Sequence, residues 1–141
     1  MLPYVVLAKL QPIGQKFIVP SGVNLVFDTV VSASGTDISY DLSTGIITFT
    51  AEGYYFIDWH VTTQTGLSDD GSNWAIQTKL SDMTVTGSSH TKLSVATGFA
   101  ILEAAVGEEA QLVNVSNGTL VLSEAAQSKA AVVVYRVVVG I

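Results

Sequence analysis

Residues 53–61 read Gly-Tyr-Tyr-Phe-Ile-Asp-Trp-His-Val, and this order constrains the fold more than any other stretch of the chain. It reads as one long strand. Period-2 alternation puts Tyr55, Ile57, Trp59 and Val61 on one face, and Tyr54, Phe56, Asp58 and His60 on the other. β-branched and aromatic residues dominate it, as a half-buried sheet requires. Further short apolar runs flank it. Strands are expected near residues 4–10, 16–19, 24–27, 28–34, 38–40, 46–50, 74–80, 111–115 and 131–139. Turn signals separate them: Pro20-Ser-Gly22, Gly35-Thr-Asp37, Asp41-Leu-Ser-Thr-Gly45 and Ser116-Asn-Gly118. Residues 84–91 are polar and undecided. Residues 98–106 carry Ala and Glu that suit a helix, yet Gly107-Glu-Glu-Ala110 looks like a hairpin turn into the next strand. The sum is an all-β protein, a two-sheet antiparallel jelly-roll sandwich over residues 1–141 as a single domain.

The two terminal runs are nearly continuous in apolar residues rather than alternating, which indicates burial on both faces. One face meets the other sheet of a sandwich, and a neighbouring subunit is the simplest cover for the second. Composition points the same way. The chain is 48% hydrophobic and 13% charged, against roughly 25% charged for an ordinary globular domain. A formal net charge of −6, with six scattered Lys and Arg, argues against nucleic acid as a partner. There is no cysteine, so neither disulfides nor thiolate metal sites are available. The first nine residues lack the basic region and the apolar length of a signal peptide. No apolar run reaches the ~18 residues of a membrane span. An export signal, if the protein works outside the cell, is expected elsewhere.

Val26-Phe27-Asp28, then Tyr40-Asp41-x-Ser43-Thr44-Gly45, then Gly53-x-Tyr55-x-Ile57-x-Trp59-His60-Val61 resemble the globular head of complement component 1q, a relative of the tumour necrosis factor jelly roll. Leu102-x-Ala104-x-x-Gly107-Glu108-x-Ala110-x-Leu112 looks like that family's strand–turn–strand hairpin. The resemblance runs from about Phe17 to the end of the chain. Within the superfamily, residues 38–45 and 55–59 and the Ser/Thr-rich filler look most like the C-terminal domain of bacterial collagen-like exosporium (BclA-like) glycoproteins. The resemblance implies about ten strands and a tight homotrimer. It also implies a place at the end of a collagen-like stalk, displayed outermost on a bacterial spore or cell surface. The sequence departs from that pattern in having no Gly-X-Y repeat.

Tyr55, Ile57, Trp59, Val61 and Leu102 are the expected core. For a trimer interface the alternation offers Phe99, Ile101 and Glu103, set outward if Ala100, Leu102, Ala104 and Val106 face the core. On the last strand one face carries Val133, Tyr135, Val137 and Val139 and the other Val132, Val134, Arg136 and Val138. Both are apolar enough to be buried and the alternation does not choose between them, with Tyr135 and Val137 added as candidates. Arg136 near an axis would need a carboxylate, with Glu103 as the candidate. Asp69, Asp70 and Asn73, in the polar loop 66–73, form a candidate ligand loop for a glycan or host receptor, the alternative function. That loop carries oxygen ligands suited to calcium, but not the spacing of an EF-hand. Asp58 and His60 share a face and could be imagined as an acid–base pair; His60 stands at the family's own His position, where it looks structural. Glu108 and Glu109 are expected in a solvated turn, and His90 in a solvated loop. Asn114-Val-Ser and Asn117-Gly-Thr match the glycosylation acceptor pattern. No catalytic residue, cofactor or metal site is assigned. The expected protein is a non-enzymatic trimerisation and surface-display domain.

Overall fold

The computed structural model describes residues 2–10, 14–91 and 93–137. Among these residues the regular structure is all strand. In chain order the strands are β1 (Tyr4–Lys9), β2 (Ile18–Val19), β3 (Thr29–Ser34), β4 (Ile38–Tyr40), β5 (Ile47–Phe49), β6 (Gly53–Gly66), β7 (Ser72–Thr78), β8 (Thr84–Ser89), β9 (Ser94–Ala104), β10 (Glu108–Asn114), β11 (Leu120–Leu122) and β12 (Ala130–Val137). They build two antiparallel sheets. The seven-stranded sheet has the order β2-β11-β6-β12-β1-β3, with β9 on the free edge of β6, and the five-stranded sheet runs β4-β5-β10-β7-β8. The count exceeds the expected ten because pieces as short as β2 and β11 hydrogen-bond separately along the long strand's neighbours.

The long strand, expected from Tyr54 to about Thr63, is β6, and it continues to Gly66. On one edge it pairs first with β12, from Tyr54 to Val61, and then with β11, from Thr63 to Gly66. On the other edge β9 follows it from Gly53 to Thr63. Its alternation decides the interior. Tyr55, Ile57, Trp59 and Val61 are buried, together with Leu102 of β9, Val132 and Val134 of β12, and Val5 and Leu7 of β1. Across the sandwich they meet Ile47, Phe49, Trp74, Ile76, Ala110 and Leu112 in one cluster. Each fully buried aliphatic or Phe side chain stabilises the fold by about 1.5–3 kcal/mol. Two of the buried polar tips have partners: Tyr55 Oη donates to Ala51 O at 2.6 Å, and Trp74 Nε1 donates to Ser72 Oγ at 2.9 Å; the buried Trp59 Nε1 has none among the described residues.

Two glycines let the sheets close on each other at β8 and β9. A Cβ on Gly98 would enter the Trp59 ring, and a Cβ on Gly87 would enter the Thr97 carbonyl. Any larger residue would force these strands apart. At the other turn of interest, Asp41 Oδ1 accepts from Ser43 N at 2.8 Å, and Gly45 takes φ +78° to close the loop.

Several expectations need correction. Residues 24–27 are extended but form no named strand. Asn24 makes one isolated bridge to Val113, and Leu25 N donates to Leu112 O at 2.7 Å, so the ladder ends there. Residues 84–89 are a strand, held between β7 and β9 despite their polarity. Residues 98–104, left open between helix and hairpin strand, are strand, because β6 offers them a full-length edge. Val106 does not continue the core face of β9; it lies in the turn, 65% exposed. Glu108 is not solvated. It is 1% exposed, and its carboxylate accepts from the backbone N–H groups of Lys79 (3.0 Å), Leu80 (2.7 Å), Ser81 (2.9 Å) and Glu109 (2.9 Å). Val138 and Val139, expected in the last strand, lie outside the described residues.

Candidate functional site

Alternation on the seven-stranded sheet leaves one face toward solvent, and that face is apolar over four adjacent strands. The register sets Tyr4 of β1 beside Tyr135 of β12, Tyr135 beside Phe56 of β6, and Phe56 beside Ile101 of β9. A second row runs Val6, Val133, Asp58, Phe99. The Phe56 ring lies 5.2 Å from the Tyr135 ring and stacks at 6.1 Å from Phe99. Phe99 and Ile101 are 67% and 62% exposed. Isolated exposed apolar residues mean little, but a contiguous patch of them on a flat sheet is a contact surface.

The other sheet's outer face is different in kind. Gln111 of β10 lies opposite Gln77 of β7, Glu109 opposite Thr48 of β5, and Gln77 opposite Thr84 of β8. Lys79 Nζ approaches Glu109 Oε2 at 3.9 Å there. This side is a conventional solvated surface.

The five expected core residues are at most 2% exposed. The five expected interface residues all come to the apolar face: Phe99, Ile101 and Glu103 from β9, and Tyr135 and Val137 from β12, with β6 between them. Val133 shares that face, as the alternation of the last strand gave it; Tyr4, Tyr54 and Phe56 share it too and were not singled out as interface residues from the sequence. The alternation of β6 already set Tyr54 and Phe56 opposite the core, and that signal could have found them. Arg136 does not join this face, and Glu103 is not its partner. It points to the core side at the end of the sandwich, where Nη1 donates to Asp37 Oδ2 at 2.6 Å and Nη2 to Glu52 O at 2.7 Å.

The loop carrying Asp69, Asp70 and Asn73 packs on residues 116–117. Asp70 Oδ1 accepts from Ser68 Oγ at 2.6 Å and from Asn117 N at 3.1 Å. The Ser68 hydroxyl and the Asn117 amide hold the Asp70 carboxyl below its ordinary pKa. Asp69 N donates to Asn117 Oδ1 at 2.7 Å, and Asn73 Nδ2 donates to Asp70 O at 3.0 Å. These polar groups tie the loop to the body of the domain. Asn114, the first acceptor-pattern asparagine, is fully buried and donates to Val19 O and Gly118 O. No sugar can be attached to it in the folded chain.

Asp58 and His60 lie on the apolar face. A recess of about 270 Å³ opens between them, bounded by Thr97, Ala131 and Val133. No serine lines it among the described residues.

No family model and no curated protein matches the chain. Solved structures do. The globular domain of zebrafish complement 1qA protein aligns over 99% of this chain and 100% of its own, with TM-score 0.71 and 13% identity. The Eiger TNF of S. frugiperda aligns over 99% and 95%, with TM-score 0.72 and 11% identity. The vertex protein P5 of PRD1 aligns over 96% and 97%, with TM-score 0.64 and 14% identity. The fold is therefore the tumour necrosis factor/complement-1q jelly roll.

Proposed function

We propose that this chain is a non-enzymatic structural domain that assembles as a homotrimer through the apolar face of β1, β12, β6 and β9. The observation that carries this reading is the contrast between the two outer faces. One sheet is coated with Gln, Thr and a Lys–Glu pair, and the other with stacked aromatic and aliphatic side chains. An apolar sheet face of that extent is stable in water when another protein surface covers it. A second copy carries the same face and is always at hand. Three-fold closure is the arrangement that the sequence resemblance implies.

The finer reading places the trimer outside a bacterial cell, at the end of a collagen-like surface or spore-coat (exosporium) filament. Its support is the match of residues 38–45 and 55–59 to that branch of the superfamily. A compact trimer there would hold three stalk chains at high effective concentration and fix their register, which glycine periodicity alone does not do.

Light scattering on a size-exclusion column tests the assembly. The expected mass is three times the 14.8 kDa chain; a stable monomer at micromolar concentration would overturn the proposal. Ile101→Asp is expected to give a folded monomer with unchanged circular dichroism, because Ile101 is 62% exposed in the protomer. Thr86→Asp, on the other sheet, should leave the mass unchanged. Display is tested separately. An antibody against the domain should label intact spores or cells, and labelling only after lysis would refute a surface location.

A further inference from the structure

We propose that Asn117 is a self-modifying site: it deamidates in the folded protein, and the change releases the loop 66–73. Residues 116–118 form the bend between β10 and β11, and Asn117 is exposed there. Of the four asparagines in the chain it is the one followed by glycine. The bend lies outside β1, β6, β9 and β12, so the reaction does not depend on assembly.

Deamidation makes three demands. The next residue's amide nitrogen must be free to attack the side-chain carbonyl carbon. Nothing must obstruct its approach, and the side-chain NH2 must be free to leave. The other three asparagines are tied up. Asn24 Nδ2 donates to Thr44 O at 2.8 Å, and the next amide, Leu25 N, donates to Leu112 O at 2.7 Å. Asn73 Nδ2 donates to Asp70 O at 3.0 Å, and the next residue, Trp74, is held in β7 opposite Asn114 of β10. Asn114 Nδ2 donates to Val19 O at 2.9 Å, and the next amide, Val115 N, donates to Asn73 O at 2.9 Å. Asn117 differs. Its Nδ2 and the following Gly118 N make no hydrogen bond with any described residue. Glycine presents no Cβ to hinder the attack. Asn117 Oδ1 accepts from Asp69 N at 2.7 Å, a donor aimed at the oxygen on which charge develops.

In the reaction, Gly118 N gives its proton to water or hydroxide and bonds to Asn117 Cγ. The Cγ–Nδ2 bond breaks, and the nitrogen takes up protons and leaves as ammonia. Water then opens the cyclic imide at either carbonyl, leaving aspartate or isoaspartate. The net change is one water consumed and one ammonia released, with no oxidant or reductant. Either product sets a new carboxylate beside Asp69 and Asp70, where like charges repel. Isoaspartate also adds a methylene to the main chain. That addition falls between Ser116, whose Oγ accepts from Asn73 N at 2.8 Å, and Gly118, whose carbonyl accepts from Asn114 Nδ2 at 3.2 Å. It displaces the two bonds by which residue 117 holds the loop: Asp69 N to its Oδ1, and its own N to Asp70 Oδ1 at 3.1 Å.

The test keeps the whole chain in warm, mildly alkaline buffer for days, folded and in urea. Intact mass and fragment-ion mapping follow each asparagine. Folded Asn117 should convert nearly as fast as in urea and give both products, while Asn24, Asn73 and Asn114 should convert only in urea. Isomerisation at Asp70-Gly71 leaves the mass unchanged and does not enter the reading. Asn117→Gln should hold its mass under the folded conditions. Aged wild type and Asn117→Asp should both be nicked within residues 66–73 several-fold faster than fresh protein; the Asp variant serves if Gln perturbs the bend. Conversion of Asn117 only in urea would overturn the proposal, as would conversion spread evenly over all four asparagines. Conversion at Asn117 with unchanged nicking would overturn the release of the loop.

Discussion

Glu108 stands at the start of β10 with its carboxylate filled by four backbone amides from two turns. Burial by itself would raise its pKa. The amides of Leu80, Ser81 and Glu109 outweigh that and hold it below the ordinary value. A carboxylate depressed in the folded state contributes stability that is complete above its unfolded pKa, about 4.3. That contribution is lost as pH falls through the folded value. Glu108→Gln should therefore destabilise the domain by ~2–3 kcal/mol at pH 7. In urea melts the gap from wild type should close as pH drops below about 4; a gap independent of pH would show that the charge is immaterial. The sequence showed a Gly-Glu turn here, but not the segment 79–81 lying across it. Lys129 was hidden for the same reason. It is fully buried, with Nζ donating to Ser123 O at 2.6 Å and Ala126 O at 2.9 Å. Such pairings join elements whose proximity only the fold creates. Replacing Lys129 with Met is expected to loosen residues 123–128, seen as faster amide exchange there, because those carbonyls lose their donor.

Among the elements, β6 was legible because nothing competes with its alternation. β9 was ambiguous, since Ala100, Leu102, Glu103 and Ala104 are good helix formers while the Gly107-Glu turn after them points to a hairpin; strand pairing overrode the propensity. β8 was undecided because its Ser, Thr and Gly residues say little until β7 and β9 bracket it. β11 was missed: three residues after a turn form a strand only because β6 extends beyond β12 to meet them. The β8–β9 closure makes a specific demand on Gly98, which sits under the Trp59 ring. Gly98→Ala should destabilise by about 1–3 kcal/mol through overpacking. The Trp59 environment should change with it, read as a shift in tryptophan emission. An unshifted spectrum at full stability would mean that the sheets have slack at this point.

At the scale of the molecule, the continuous apolar character of the terminal runs signalled the sheet face that the other residues leave bare. The pairing of that face with Phe56 and Tyr54 needed the register. The terminal strands also lie side by side: β1 pairs with β12 along its whole length, and β12 is the strand between β1 and β6. The order of synthesis follows from this. The first strand emerges with its central neighbour still unmade, and the main sheet keeps a slot one strand wide until residues 130–137 appear. Folding of this sheet waits for β12, and the wide sequence separation slows it further. A chain stopped at residue 129 should be protease-sensitive, with two unpaired edges facing each other. A synthetic peptide of residues 130–137, supplied in trans, should fill the slot and restore resistance. The domain's last strand would then serve as a detachable key to its fold.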